Sequence, residues 1–246
     1  MTVFHSFHSP LRCAVVGARG GLGAALCSAL LAHPEVATLY ALARLAPPPV
    51  ARMVPLTLDL TDEASVAQAA REIAHDGPLD LVLVASGLLH DGTLRPEQRW
   101  EALDPIVLAR LFAVNTIGPA LCAKHFLPLL RRDQKAVFAA LSARVGSIGD
   151  NRSGGWYGYR ASKAALNMLL KTLALELSRR NPPAICVGLH PGTVDTGLSR
   201  PFQAHVPPPS LFTGESAAQH LLAVCESLRV ADSGQVFAWD GAVVVP

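Results

Sequence analysis

Residues 79–85 read Leu-Asp-Leu-Val-Leu-Val-Ala, an almost continuous apolar run. Alternating apolar and polar residues mark a strand with one solvated face; continuity marks a strand buried on both faces, as in a parallel sheet flanked by helices. The sheet is therefore expected to be parallel. Short apolar runs at 11–16, 36–43, 53–58, 136–141, 184–189 and 235–238 predict further strands. Residues 22–31, 62–74, 105–130, 157–180 and 215–228 read as helices. The Pro47-Pro48-Pro49 triplet makes the connection between the second and third strands a loop, because Pro48 cannot sit inside a helix.

Strands alternating with helices predict an α/β fold: a single-domain, Rossmann-type doubly wound parallel sheet with helices on both faces, which binds ligands at the carboxyl ends of its strands. One domain is assigned to residues 1–246, with 1–10 as an N-terminal tail and the proline-rich 191–213 as a substrate loop.

Half the residues are hydrophobic and only 16% are charged, which favours a packed chain over disorder. Twenty-one basic and 19 acidic residues give a net charge of +2 with no long run of one sign, so nucleic acid is not an expected partner. Cys13, Cys27, Cys122, Cys186 and Cys225 are scattered, odd in number and without a CxxC pair, so buried, reduced thiols are expected. No uninterrupted apolar run reaches membrane-spanning length, and the start carries no basic segment before a hydrophobic one; a soluble, cytoplasmic protein away from membranes is expected. The histidines show neither HxxxH nor HExxH spacing, and His5 and His8 fall in the expected tail, so no metal site is assigned.

Val16-Gly17-Ala18-Arg19-Gly20-Gly21-Leu22-Gly23 joins the first strand to the first helix. Backbone N–H groups at a helix start favour a pyrophosphate, and Gly17, Gly21 and Gly23 let it approach the backbone while the helix packs on the strand. Arg44 ends the second strand, where dinucleotide folds often place an acid on the ribose 2′-hydroxyl. An arginine there suits a 2′-phosphate, so NADP(H) is preferred and NAD(H) is the alternative; Arg19 is placed to clamp the same phosphate. Tyr159 and Lys163 stand at i and i+4, on one face of a helix. A cation about 4 Å from a phenol, at an effective dielectric near 20, favours phenolate by up to about 4 kcal/mol, which suits Tyr159 to general acid/base work.

The GxxxGxG turn, the Tyr159-Arg160-Ala161-Ser162-Lys163 segment and Pro191-Gly192-Thr193-Val194-Asp195-Thr196 together resemble the short-chain dehydrogenase/reductase family from about residue 11 to 241. Gly146-Ser147-Ile148, the stretch from Trp156 to Asn167, and Leu198-Ser199-Arg200-Pro201-Phe202 are similar to its bacterial C-factor-like branch, which includes carbonyl reductase-like and signalling proteins. The resemblance implies that Tyr159 exchanges a proton with the substrate oxygen, that Lys163 lowers the Tyr159 pKa and holds the nicotinamide ribose, and that Asn115 supports a proton-relay water. It puts Asp59 and Leu60 at the adenine ring, Ala85-Ser86-Gly87 beside the cofactor in place of the family's Asn-Asn-Ala-Gly, and Pro191, Gly192, Val194 and Thr196 at the carboxamide and pyrophosphate.

The family's substrate-binding serine falls on Ala143, so either Ser142 or Ser147 is expected to supply the donor, with Ser142 preferred at the strand end. The implied activity is NADP(H)-dependent interconversion of a small-molecule carbonyl and an alcohol. A catalytically weak NADP(H)-binding signalling or redox-sensing protein is the alternative. An isomerase or epimerase on a nucleotide sugar is the weakest of three readings, since little chain after Pro191 remains for a substrate domain. A homodimer or homotetramer packed through the helices around Asn115 and Tyr159 is implied as well.

Overall fold

All four residues of the strand Leu81–Val84 are buried, and five of the six other strands in its sheet are mostly buried too, the edge strand Met53–Thr57 being partly exposed. The computed structural model describes residues 4–246. In chain order its elements are β1 (Leu11–Val16), α1 (Gly21–Leu31), β2 (Val36–Ala43), β3 (Met53–Thr57), α2 (Glu63–Ala74) and β4 (Leu81–Val84). After these come α3 (Pro105–Phe112), α4 (Gly118–Phe126), β5 (Ala136–Leu141), α5 (Tyr157–Arg180), β6 (Ala184–His190), β7 (Thr193–Val194), β8 (Leu211–Phe212), α6 (Gly214–Ser227) and β9 (Val236–Ala238). The main sheet has seven strands in the order β3-β2-β1-β4-β5-β6-β9, and every pairing is parallel. It forms one Rossmann-like domain with helices on both faces. Pro55, which cannot donate to a ladder, lies in the edge strand β3.

Period-two alternation divides the sheet into two cores. Cys13, Val15, Leu83, Val137 and Val187 pack with Leu26 of α1 and Leu221 of α6. Ala14, Val16, Val82, Phe138 and Cys186 pack on the other face with Val66 of α2, Phe126 of α4 and Leu170 of α5. The chain reverses its direction of winding between β1 and its neighbour β4, which opens a crevice at their carboxyl ends.

Two expectations need correction. The described part of the expected tail, residues 4–10, is docked: Phe4 and Phe7 are buried in the core beside α1 and α6, and Ser6 bonds to Glu226. Aromatic burial holds it there, although its histidine at 5 and that at 8 are exposed. Second, β4 begins at Leu81 and not at 79, because the buried Asp80 carboxylate accepts from the Arg12 backbone N–H and the Arg131 guanidinium.

The helical region expected over 105–130 is present as Pro105–Leu129, with a π-helical turn at Ala113–Ile117, where the Gly118 N–H bonds to the Ala113 carbonyl. Pro119 has no N–H to offer the Asn115 carbonyl four residues back, so the ladder widens there. The stretch Pro105–Leu129 is long and apolar enough to cross a membrane by length and composition, yet its Leu111, Cys122 and Phe126 are fully buried within the fold. A small parallel pair, β7 with β8, also ties the start of the 191–213 loop to its end.

Candidate active site

The glycine turn hangs from β2: the N–H groups of Gly17 and Ala18 both donate to the Leu42 carbonyl. Gly17 has φ +88°, and a Cβ there would stand 2.7 Å from Ser86 Oγ. At Gly23 a Cβ would lie 2.0 Å from the Gly17 carbonyl oxygen, so helix and turn are packed backbone on backbone. A Cβ at Gly21 would meet Thr196 Cγ2 at 2.7 Å, which brings the Pro191–Thr196 turn to the same place. Gly20 gives α1 no side-chain cap and its first turn has no acid, leaving a helix start suited to a phosphate. Leu22 and Val194 are present through their backbones alone, since both side chains lie in the core.

Arg19 and Arg44 are exposed at the rim, and neither is held by a hydrogen bond or ion pair among the described residues. Asp59 spends its carboxylate on Thr61, accepting from the backbone N–H at 2.9 Å and the hydroxyl at 2.7 Å. Those Thr61 bonds, with the nearby Arg44 charge adding to them, hold the Asp59 carboxyl below the usual range. Asp62 caps α2 instead. Leu60 reaches α4, where a Cβ on Gly118 would fall 1.7 Å from its Cδ1.

At the other end of the crevice, Tyr159 is 7% and Lys163 2% exposed. Lys163 Nζ lies 5.8 Å from the Tyr159 ring centre and donates to the Leu141 carbonyl at 2.7 Å. Burial pushes the Tyr159 phenol up to about 12 and the Lys163 ammonium down to about 8. Burial is the one cause resolved for Tyr159 and it acts upward, against the lowering by Lys163 that the resemblance implies. Gly87 is exposed, and a Cβ there would be 3.8 Å from both Lys163 Nζ and Asn115 Oδ1. Ala85 and Ser86 precede it, Ser86 lying against Gly17, so the turns after β1 and β4 meet here.

Asn115 is fully buried in the π turn. Its Oδ1 accepts from the Leu88 N–H and its Nδ2 donates to the Leu88 carbonyl, both at 2.8 Å, and Nδ2 also reaches Ser162 Oγ at 3.1 Å. It thus clips the loop after β4 to α5.

The expected serine donors do not face Tyr159. Ser142 Oγ donates to Asn167 Oδ1 at 2.5 Å, inside α5, and is 3% exposed. Ser147 Oγ accepts from the Asp150 N–H at 3.0 Å and lies toward the Pro246 carbonyl. Strand alternation is the reason: the residue after β5 that turns toward the phenol is Ala143, which clusters with Tyr159 and Leu89.

Ser162, Asn167 and Glu97 escape notice in the sequence. Tyr159, Lys163 and Asn167 recur at four-residue spacing on α5, a pattern that points to Asn167. Nothing marks the loop acid Glu97, which stands in as a cap: its Oε2 accepts from the Gly158 N–H, while Trp156, at φ +52°, offers no side-chain cap.

Residues 12–207 match the family model described as short chain dehydrogenase. The chain is 33% identical over 185 residues to 1-hydroxy-2-glutathionyl-2-methyl-3-butene dehydrogenase of Rhodococcus sp. (strain AD45), covering 75% of this chain and 76% of that protein. It is 33% identical over 171 residues to C-signal of Myxococcus xanthus, covering 68% and 93%. In structure it is similar to NADPH-bound carbonyl reductase from chicken fatty liver, with a TM-score of 0.82 at 24% identity over 98% of this chain and 97% of that one. With the glycine turn, the Tyr159 helix and the Pro191 turn all inside the matched region, the chain belongs to the short chain dehydrogenase family and is an oxidoreductase.

Proposed function

We propose that this oxidoreductase interconverts a carbonyl and an alcohol with NADP(H), Tyr159 giving and taking the proton at the substrate oxygen. The observation that carries the reading is the buried Tyr159 and Lys163 pair, one helical turn apart, beneath Gly87 at the carboxyl end of β4. The residues fit a dinucleotide. The uncapped start of α1 and the close-packed glycines 17, 21 and 23 suit its pyrophosphate, and the unpaired Arg19 and Arg44 suit a 2′-phosphate. Asp59 and Leu60 suit the adenine end, Ala85, Ser86 and Gly87 lie beside the cofactor, and Pro191, Gly192, Val194 and Thr196 suit the carboxamide and pyrophosphate. When bound, the nicotinamide supplies or accepts the hydride.

The chain's own part is the proton. With its phenol at about 12, Tyr159 is fully protonated at neutral pH, loaded as a donor for reduction. Lys163, at about 8, is still mostly ammonium there and stabilises the phenolate left behind. Asn115, held by Leu88 and Ser162, keeps the Gly87 turn against α5. The protein is assigned to the cytoplasm, in keeping with five free, buried thiols, and to a homodimer or homotetramer through α3 and α5, where Ile106, Met168 and Leu175 are exposed.

Tyr159→Phe is expected to lower kcat by about 10³-fold with NADPH binding intact; unchanged turnover on a carbonyl panel overturns the assignment. Arg44→Ala is expected to weaken NADPH by about 30-fold and leave NADH unaffected, as loss of a charge-assisted contact should. The second reading, a binding protein without turnover, draws on the two serines turned away from Tyr159. Cofactor binding with no reduction of any aldehyde or ketone favours it.

A further inference from the structure

Tyr159 packs in an apolar cluster drawn from four segments. Leu89 comes from the loop after β4, Ala143 from the end of β5, Trp156 from the start of α5, and Leu198 and Phe202 from the 191–213 loop. The Trp156 and Phe202 rings meet edge to face at 5.0 Å, and Trp156 lies 6.3 Å from the Tyr159 ring in the same manner. Trp156 holds this position from a left-handed backbone, φ +52°, which a bulky residue adopts only under constraint.

Several neighbouring polar groups are committed elsewhere. Ser142 is spent on Asn167, Ser147 on Asp150, and Arg160 on the carbonyls of Gly154 and Gly155. His90 Nε2 lies 3.0 Å from the Gly197 carbonyl and 3.1 Å from that of Leu198. A carboxylate or polyol held against this cluster would give up water to apolar side chains, so an uncharged, apolar ligand body is favoured. Rings suit it best, because Trp156 and Phe202 already favour edge-to-face contact. With a methyl at Ala143, the reacting oxygen has one hydroxyl donor. Removing one donor from a developing oxyanion typically costs about 10²- to 10³-fold in rate, a deficit that an intrinsically electrophilic carbonyl is best able to bear.

We infer that the substrate is an uncharged aldehyde bearing an apolar aromatic group, and that Ala143 sets the preference for aldehyde over ketone. This rests on Tyr159 being the proton donor. The C=O π bond breaks; two electrons and a hydrogen reach the carbon from the reduced nicotinamide, and the oxygen takes the Tyr159 proton. The products are a primary alcohol and the oxidised dinucleotide.

The test compares kcat/KM with NADPH for benzaldehyde, acetophenone and 4-carboxybenzaldehyde in the native protein and in Ala143→Ser. Aldehydes are intrinsically more electrophilic than ketones, so the most informative quantity is how the aldehyde-to-ketone ratio changes. It is expected to fall at least ~10-fold in Ala143→Ser through a faster ketone reaction, and 4-carboxybenzaldehyde is expected to be at least ~10-fold poorer than benzaldehyde in the native protein. An unchanged ratio, or a carboxylate as good as the neutral aldehyde, overturns the inference while leaving the Tyr159 reading in place. If Ala143→Ser does not fold, the carboxylate comparison and the native ratio decide it, an acetophenone rate equal to that of benzaldehyde counting against. NADPH binding without turnover of any of the three by either protein overturns the Tyr159 reading, and the inference with it.

Discussion

At the α1 end of the crevice the chain offers backbone: glycines packed within van der Waals distance of other backbone, and a helix start facing outward. At the α5 end it offers side chains taken out of water, with Asn115 and Ser162 fully buried and Lys163 nearly so. The first end is sensitive to volume, because a single methyl group has nowhere to go. The second is sensitive to charge, because each protonation state must be supported without solvent. The two ends of one site should therefore fail in different ways.

Gly23→Ala is the strongest test of the first end. Its Cβ would press on the Gly17 carbonyl oxygen at 2.0 Å, and backbone cannot swing aside as a side-chain tip does. A stability loss of about 3 kcal/mol is expected, at the upper end for overpacking, together with loss of NADPH binding. Urea denaturation and fluorescence titration check both. A variant as stable as the parent would mean that helix and turn can separate freely, and the contrast between the two ends would vanish.

Lys163→Met probes the second end through pH. The Lys163 ammonium is displaced from 10.5 to about 8 by burial, so the folded protein carries an unfavourable charge below about pH 8. A displacement of that size is worth about 3 kcal/mol. Between about pH 8 and 10.5 the unfolded chain holds the proton that the folded chain has released, so this contribution makes stability rise with pH. The variant is therefore expected to be the more stable by up to about 3 kcal/mol at pH 7, with the advantage gone near pH 10.5. Buried thiols such as Cys27 and Cys225, pushed up to about 12, lower stability above pH 9 in both proteins, so only the difference between them is informative. A difference that stays flat across this window would show that Lys163 is hydrated in solution.

The same contrast explains what can be read from the chain itself. The sheet, the turn at Gly17 to Gly23 and the pairing of Tyr159 with Lys163 follow from local rules: apolar continuity, backbone freedom and helical spacing. Which way Ser142 points does not, because one residue of offset at the end of β5 turns a hydroxyl from the cleft into α5. The π turn at Asn115 depends on Pro119 four residues later within an otherwise helical pattern. Spacing likewise gives Tyr159 its proximity to Lys163, while the burial that raises its phenol is a property of the whole fold.

Ser142→Ala carries the smallest expected effect and tests that offset directly. Deleting the hydroxyl leaves Asn167 Oδ1 without its 2.5 Å donor, in a place where Ser142 is 3% exposed. A loss of about 1–2 kcal/mol in stability is expected from the unpaired acceptor, with kcat changed less than about twofold because Ala143, not Ser142, faces the phenol. The opposite pattern, intact stability with kcat down about 10²-fold, is the signature of a lost oxyanion donor. It would mean that Ser142 leaves Asn167 and turns toward the substrate in the working enzyme, and that the α5 end is less fixed than its burial implies. Double substitution of Ser142 and Asn167 separates the two accounts. If the pair is structural, removing both partners relieves the unsatisfied oxygen and restores part of the stability lost in Ser142→Ala, again without moving kcat.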